Sequence, residues 1–174
     1  MQLRLRSGTR WLASLCILAA CASALGCSGG QEVTTESVEA AQRLWNEAGI
    51  RDYDLDYTSG PFSDHFVTTV HNGTVQKVES IQLGGERIEM HPAEPRYYSV
   101  DGLFLTITNE LAQLKTDTPF DKPRGTKIVM KFRTDPKLGY PHWYRRDIMG
   151  MSHGARFEVI KITRTNAALK PEKG

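Results

Sequence analysis

The side chains able to do chemistry in this chain fall into a few groups, and spacing limits each of them. Cys16, Cys21 and Cys27 all lie within the first 27 residues, so the remainder has no thiol for catalysis or for a disulfide. Five histidines raise the question of a metal. His65 and His71 stand an even number of residues apart, on one face of a strand, while His142 and His153 flank a stretch that carries Asp147. Met149-Gly150-Met151-Ser152-His153 sets soft donors at alternate positions, as a copper ion accepts, yet it offers no fourth ligand, and the closed zinc pattern with cysteines is absent. No metal site and no cofactor are therefore expected. Ser152 adjoins His153, but sequence neighbours cannot form the hydrogen-bonded pair that activates a serine, and no Gly-x-Ser-x-Gly turn is present. Asp52, Asp54 and Asp56 alternate, with Asp64 close behind. Calcium binding or a carboxylate pair competes there with the plainer expectation of a solvated strand edge that discourages aggregation.

The three cysteines close or interrupt an apolar run. Arg4, Arg6 and Arg10 precede an uncharged stretch of 16 residues, Trp11 to Gly26. That is the layout of an export signal, and it falls short of the roughly 20 residues a membrane span needs. A thiol after a small residue at the end of such a run resembles the bacterial lipobox, whose cysteine is acylated and becomes the first residue of the mature chain. Ala24-Leu25-Gly26-Cys27 and Leu18-Ala19-Ala20-Cys21 both fit. Cys27 is preferred because the apolar run ends there and Ser28-Gly29-Gly30-Gln31 follows as a polar tether. The competing expectation is an ordinary signal peptide removed with its cysteines. Acyl chains contribute about 0.8 kcal/mol per buried methylene, so a multiply acylated cysteine holds a domain at a membrane.

Charge supports a body outside nucleic-acid binding. The whole chain of 174 residues carries 22 Lys and Arg against 20 Asp and Glu, and loss of the first 26 residues removes three of the cations. The remainder is nearly neutral and lacks the basic excess that displaces counterions from nucleic acid. At 24% charged and 40% hydrophobic, the composition is that of a folded domain with one core of ordinary size.

Apolar spacing then supplies the elements that must position any site. Thr34, Thr35 and Ser37 offer caps for a helix with Val38, Ala41, Leu44, Trp45 and Ala48 on one side, closed by Gly49. Ser99 caps a second helix, in which Val100, Leu103, Phe104, Ile107, Leu111 and Leu114 form the buried stripe. Strands are expected over Tyr53–Thr58, Phe66–His71 and Thr74–Ile81, and again over Lys127–Arg133, Tyr140–Ile148 and Ala155–Arg164. Asn72-Gly73 marks a hairpin. Leu83–Tyr98 and Thr116–Gly125 are expected as loops. The order α-βββ-α-βββ gives an α+β domain, two helices packed on an antiparallel sheet, and suggests an internal duplication. The expected organisation is a lipoprotein signal peptide over 1–26, a flexible tether over 27–34, a single domain over 35–165 and a disordered tail over 166–174.

These residues resemble a bacterial family of lipoproteins and secreted proteins known as a domain of unknown function, numbered 6174. The resemblance rests on Leu44-Trp45-Asn46-Glu47-Ala48-Gly49-Ile50, Tyr53-Asp54-Leu55-Asp56-Tyr57, Val70-His71-Asn72-Gly73-Thr74-Val75, Val100-Asp101-Gly102-Leu103-Phe104 and Asp135-Pro136-Lys137-Leu138-Gly139-Tyr140-Pro141 with Asp147, from about Val38 to Thr163. In that family many members place a cysteine pair just after the tyrosine strand. Here Thr58-Ser59-Gly60-Pro61-Phe62-Ser63 stands there, which implies a looser loop. The resemblance implies an envelope location and no activity.

The function expected is that of an exported, membrane-anchored, non-enzymatic binding or accessory module facing the periplasm or cell exterior. Its partners are the membrane, through the lipid anchor at Cys27 or Cys21, and an envelope protein. Tyr53, Tyr57, Tyr140 and Asp147 are expected to converge on the open sheet face as the binding surface. Trp143, Tyr144, Tyr97 and Tyr98 offer either a recognition surface or core. The Asp135–Pro141 segment either lines a binding site, with Tyr140 and Asp147 as hydrogen-bond partners, or, as the plainer expectation, is a hairpin connection in which turn chemistry explains every residue. The alternative function is a metal-binding or hydrolytic periplasmic protein using the His and Asp residues.

Overall fold

The computed structural model describes residues 29–152 and 154–165. Cys21, Cys27, the signal segment and the tail from 166 onward lie outside the described residues. The elements are β1 (Gln31–Glu32), α1 (Thr35–Ala48), β2 (Tyr53–Ser59), β3 (Asp64–His71), β4 (Thr74–Ile81), β5 (Arg87–Met90), α2 (Val100–Gln113), β6 (Ile128–Thr134), β7 (Pro141–Ile148) and β8 (Ala155–Arg164). All eight strands join one antiparallel sheet in the order β1-β6-β7-β8-β2-β3-β4-β5. The fold is α+β.

Two strands were not expected. β1 forms inside the segment read as a tether: Gln31 and Glu32 pair with Phe132 and Lys131, Val33 N–H donates to the Met130 carbonyl at 3.1 Å, and the Val33 side chain is buried. β5 forms inside the segment read as a loop, because Gly84 and Gly85, both at positive φ, turn the chain back so that Arg87–Met90 pairs with β4. The observed order is therefore β-α-ββββ-α-βββ. β2 is not an edge strand either. It pairs with β3 on one side and β8 on the other, so the Asp54 and Asp56 pair lies mid-sheet on the open face.

Both helices cover the same sheet face. Thr34 caps α1 through a reciprocal pair with Ser37, and Gly49 ends it at φ 62°. Its inner face presents Val38, Ala41 and Trp45, while Leu44, expected inside, is 43% exposed. Ser99 caps α2 by accepting from Gly102 N–H, and Val100, Leu103, Phe104 and Ile107 are buried. Beneath them the inward rows of the sheet supply Leu55, Val70, Met130, Phe132, Tyr144, Phe157 and Val159. Period-two alternation does the sorting: in β2, Tyr53, Leu55 and Tyr57 are inward, and Asp54 and Asp56 are outward.

Several residues of these motifs are structural joints. The Tyr53 ring packs edge-on against Trp45 of α1 at 5.5 Å, and its hydroxyl accepts the buried Val100 N–H at 3.0 Å. One side chain thus ties β2 to α1 and satisfies a donor that the first turn of α2 leaves without an intrahelical partner. Gly139 has φ 78°, and a Cβ there would fall 2.2 Å from the Ala41 carbonyl oxygen, so only glycine lets the β6–β7 turn touch α1. Asp135 completes that turn, its Oδ1 accepting from Lys137 and Leu138 N–H at 2.9 and 2.8 Å. The turn chemistry expected for this segment is what the structure shows.

Candidate functional site

Of the four residues expected to converge on the open face, only Asp147 is there. Tyr53 and Tyr57 are 1% and 3% exposed on the opposite, helix-covered side, because they share the parity of Leu55. Tyr140 is half-buried against Trp45, with ring centroids 6.3 Å apart. Asp147 holds Arg145 at 2.8 Å. The expected surface is thus corrected to two core tyrosines, one packing tyrosine and one surface ion pair. Burial raises the Tyr53 hydroxyl to about 12 and pushes Tyr57 and Tyr140 above the usual tyrosine range.

The acids and histidines of β2 and β3 do meet on the open face, in pairs. Asp56 Oδ1 lies 2.7 Å from His65 Nε2, Asp52 Oδ1 lies 2.5 Å from His71 Nδ1, and Asp54 accepts from the Thr69 hydroxyl at 2.8 Å. These are cross-strand contacts of the kind that stabilise a sheet. Among the described residues no three His, Cys, Asp or Glu side chains are grouped to hold a metal, and His153 lies outside those residues. Met149 and Met151 are exposed on the β7–β8 turn.

Concave surface collects instead along α2, on the helix side of the sheet. Two adjoining clefts of about 290 Å³ each share Ser59, Gly60, Thr106 and Phe157. One end is aromatic: Tyr57, Phe66 and Tyr98 line it, with Phe66 edge-on to Tyr98 at 5.4 Å and tilted against Tyr57 at 5.6 Å. Asp64 sits at its rim, and Tyr97 completes that wall under Arg96. The other end is lined by Tyr144, Arg146 and Arg156.

A buried polar triad backs this second end. The Tyr144 hydroxyl donates to Glu110 Oε2 of α2, and Arg146 Nη1 lies 3.0 Å from Glu110 Oε1. Arg146 and Glu110 are 17% and 15% exposed, well inside the range where an unpaired charge is costly. Burial raises the Glu110 carboxyl against the opposing effects of Tyr144 and Arg146, and burial together with the Glu110 charge drives the Tyr144 hydroxyl far upward. The Phe120 ring covers the guanidinium at 3.9 Å. It is held there by a turn in which Phe120 and Asp121 both take positive φ, 53° and 59°, a conformation that costs about 1–3 kcal/mol per residue. Among the described residues no hydrogen-bond partner reaches the buried Arg146 Nε.

The loop between the two clefts is fastened without cysteines. Arg156 Nη2 donates to the Pro61 carbonyl at 2.7 Å, its Nε reaches the Gly60 carbonyl at 3.4 Å, and Gly60 N–H donates to the Arg156 carbonyl at 3.0 Å. The looser loop expected from the missing cysteine pair is replaced by this arginine clasp.

Sequence reasoning missed Glu110 and Arg146, though both left a signal. Glu110 interrupts the apolar stripe between Ile107 and Leu111, and Arg146 stands between Tyr144 and Ile148 on the inward row of β7. A charge on an inward row implies a buried partner.

No curated protein and no solved structure is similar enough to this chain to match it. A family model does match, over residues 37–128, from the first turn of α1 to the first residue of β6. It covers Trp45, Tyr53, Val100 and Glu110, whereas β7 and β8, which complete the sheet and the Arg146 end of the cleft, lie beyond it. Spanning more than half of the sequence, that match places the chain in the family of unknown function DUF6174.

Proposed function

We propose that this protein is an exported lipoprotein whose domain is a non-enzymatic binding module of the cell envelope, anchored through Cys27, with Cys21 as the other candidate. The arginine-led apolar run ending in a thiol supports the anchor. The cleft along α2 supports the binding role and carries this reading: its walls are aromatic at one end and cationic at the other. Its buried carboxylate, Glu110, is committed to Tyr144 and Arg146 and so is not free to act as a base. An extended segment of an envelope protein, with an apolar side chain for the Tyr57–Phe66–Tyr98 end and a carboxylate or carbonyl for the Arg146 end, fits that division. The two helix-plus-meander units, α1 with β2–β4 and α2 with β6–β8, are read in the same proposal as copies of one ancestral unit. Each forms a contiguous run of strands in the sheet, which supports the duplication.

The test is site-specific photo-crosslinking in intact cells. A crosslinker at Thr106, in the middle of the cleft, is expected to capture a defined envelope protein, and Tyr98→Ala is expected to abolish that capture. A crosslinker at Lys77, on the other sheet face, is expected to miss it. Identical products from both positions would refute the binding role of the cleft.

A further inference from the structure

β5 ends the sheet, and its outer edge has an open backbone row. Gln82 N–H donates to the Glu86 carbonyl at 2.8 Å, which makes these two a hydrogen-bonded pair at the β4–β5 turn. Such pairs alternate along an antiparallel ladder. In the register that sets Ile81, Ser80, Glu79 and Val78 opposite Arg87, Ile88, Glu89 and Met90, it is therefore Ile88 and Met90 that bond to β4. Arg87 and Glu89 turn their N–H and C=O groups to the free edge. Side chains alternate in step: Val78 is buried under the helices, so Met90 and Ile88 lie on the helix side, and Arg87 and Glu89 lie on the open face.

Edge strands commonly carry charges that repel an incoming strand. Here the two charges differ in sign, and one of them lacks a counterpart. Lys77 and Arg87 both reach Glu79, at 2.8 and 3.4 Å. Glu89 stands directly opposite that same Glu79, an unfavourable facing of like charges, and among the described residues no salt bridge joins it. Ile88, between the two charges, is 46% exposed. An antiparallel second copy of β5 can be centred on any of these three residues. Centred on Ile88, Arg87 faces Glu89 of the second copy at both ends, and the outward backbone groups of the two strands meet as hydrogen-bonded pairs. Centred on Arg87 or on Glu89, that residue faces itself, and like charges oppose.

We infer that β5 is the seam of a homodimer, in which two copies of this chain pair edge to edge in the register centred on Ile88. Glu89 gains there the guanidinium that its own chain does not give it, and the two exposed Ile88 side chains cover each other. The two-fold axis of an antiparallel pair stands normal to the sheet, so the two 8-stranded sheets become one, with the helices of both copies on the same side. Both α2 clefts then open on one face of the dimer. On the binding reading above, that arrangement makes the dimer bivalent. A seam of four strand residues a side is smaller than a standard interface, which buries about 1,600 Å² in total, so the dimer is weak and reversible.

Disulfide trapping reads the register directly. A chain beginning at Ser28 keeps every helix and strand described and has no thiol of its own. Ile88→Cys or Arg87→Cys is introduced into it, diamide oxidises paired thiols to a disulfide, and covalent dimer is followed on non-reducing gels. The seam sets the two copies of residue 88 in a non-hydrogen-bonded pair, with Cα atoms about 4.5 Å apart, inside the range a disulfide spans. The two copies of residue 87 are out of register and about 8 Å apart, beyond that range. Ile88→Cys is therefore expected to form covalent dimer at least roughly tenfold faster than Arg87→Cys. In the Ile88→Cys chain, Arg87→Glu sets two glutamates face to face at both ends of the seam and is expected to slow trapping roughly tenfold. Adding Glu89→Arg restores opposite charges and is expected to recover the rate. Equal rates for Ile88→Cys and Arg87→Cys, or a rate that ignores the charge reversal, overturn the seam. The trapping does not involve the cleft, so if it succeeds while a crosslinker at Thr106 captures no partner, the dimer stands and the binding reading fails.

Discussion

Replacing Tyr53 by Phe isolates what its hydroxyl does, because the ring keeps its 5.5 Å edge contact with Trp45. The group lost is the acceptor for Val100 N–H, a donor at the fully buried start of α2. A buried N–H left without a partner costs about 1–3 kcal/mol, so Tyr53→Phe should destabilise by about 2 kcal/mol. With a urea slope of about 2 kcal/mol/M, the unfolding midpoint should fall by about 1 M without a change in slope. Tyr57→Phe is the control. Tyr57 is equally buried, but among the described residues no hydrogen bond joins its hydroxyl, so its loss should change stability by less than about 0.5 kcal/mol. The sign of the alkaline dependence follows from the same hydroxyl. Its folded value, about 12, exceeds the ordinary 10, so its contribution is complete below pH 10 and is lost as pH rises from 10 to 12. Tyr53→Phe should remove that part of the alkaline loss. Equal midpoints for the two variants, or a neutral Tyr53→Phe, would refute the role of Tyr53 as the joint between β2 and α2.

Other perturbations discriminate on the same assay. Gly139→Ala should cost more than about 3 kcal/mol, since positive φ is compounded by overlap with the Ala41 carbonyl, whereas Gly150→Ala, at φ 83° but facing open space, should cost only about 1 kcal/mol. Thr68→Val should stabilise by about 1 kcal/mol, because the Thr68 hydroxyl is fully buried between Leu55 and Val78 with no hydrogen-bond partner among the described residues. Glu110 and Glu79 should give pH profiles of opposite sign in urea unfolding. Burial raises Glu110, so its favourable share is complete below pH 4.5 and fades as pH rises through its folded value; Glu110→Gln should flatten that limb. The hydrogen bond from Lys77 lowers Glu79, so its share is present above pH 4.5 and is lost as pH falls through its folded value, and Glu79→Gln should flatten the acid limb instead.

The periodic parts of this fold were legible because burial imposes a period. The stripe from Val100 to Ile107, the caps at Thr34 and Ser99, and the alternation of β2 are each a direct trace of one face meeting a core. β1 left no trace, since two residues cannot show alternation and their pairing depends on the exposed edge of β6. β5 was hidden because all but Met90 of its residues are exposed, leaving no apolar period to read. The central place of β2 comes from its pairing with β8, a contact between distant parts of the chain that local pattern does not encode. The tyrosines are a different case. Tyr53 and Tyr57 share the parity of Leu55, so their burial was legible in the alternation of β2. The cleft's triad was equally legible, because Glu110 and Arg146 are charges on inward rows and a buried charge requires a partner.

The proposal that a lipid on the first mature residue holds the domain outside the cytoplasm is tested most directly by mass spectrometry of the protein recovered from its own cells. The expected result is a membrane-fraction chain that begins at Cys27 and carries acyl mass, with label from palmitate lost in Cys21→Ser/Cys27→Ser. A soluble, unacylated chain in the cytoplasm with Met1 or Gln2 at its front would contradict it.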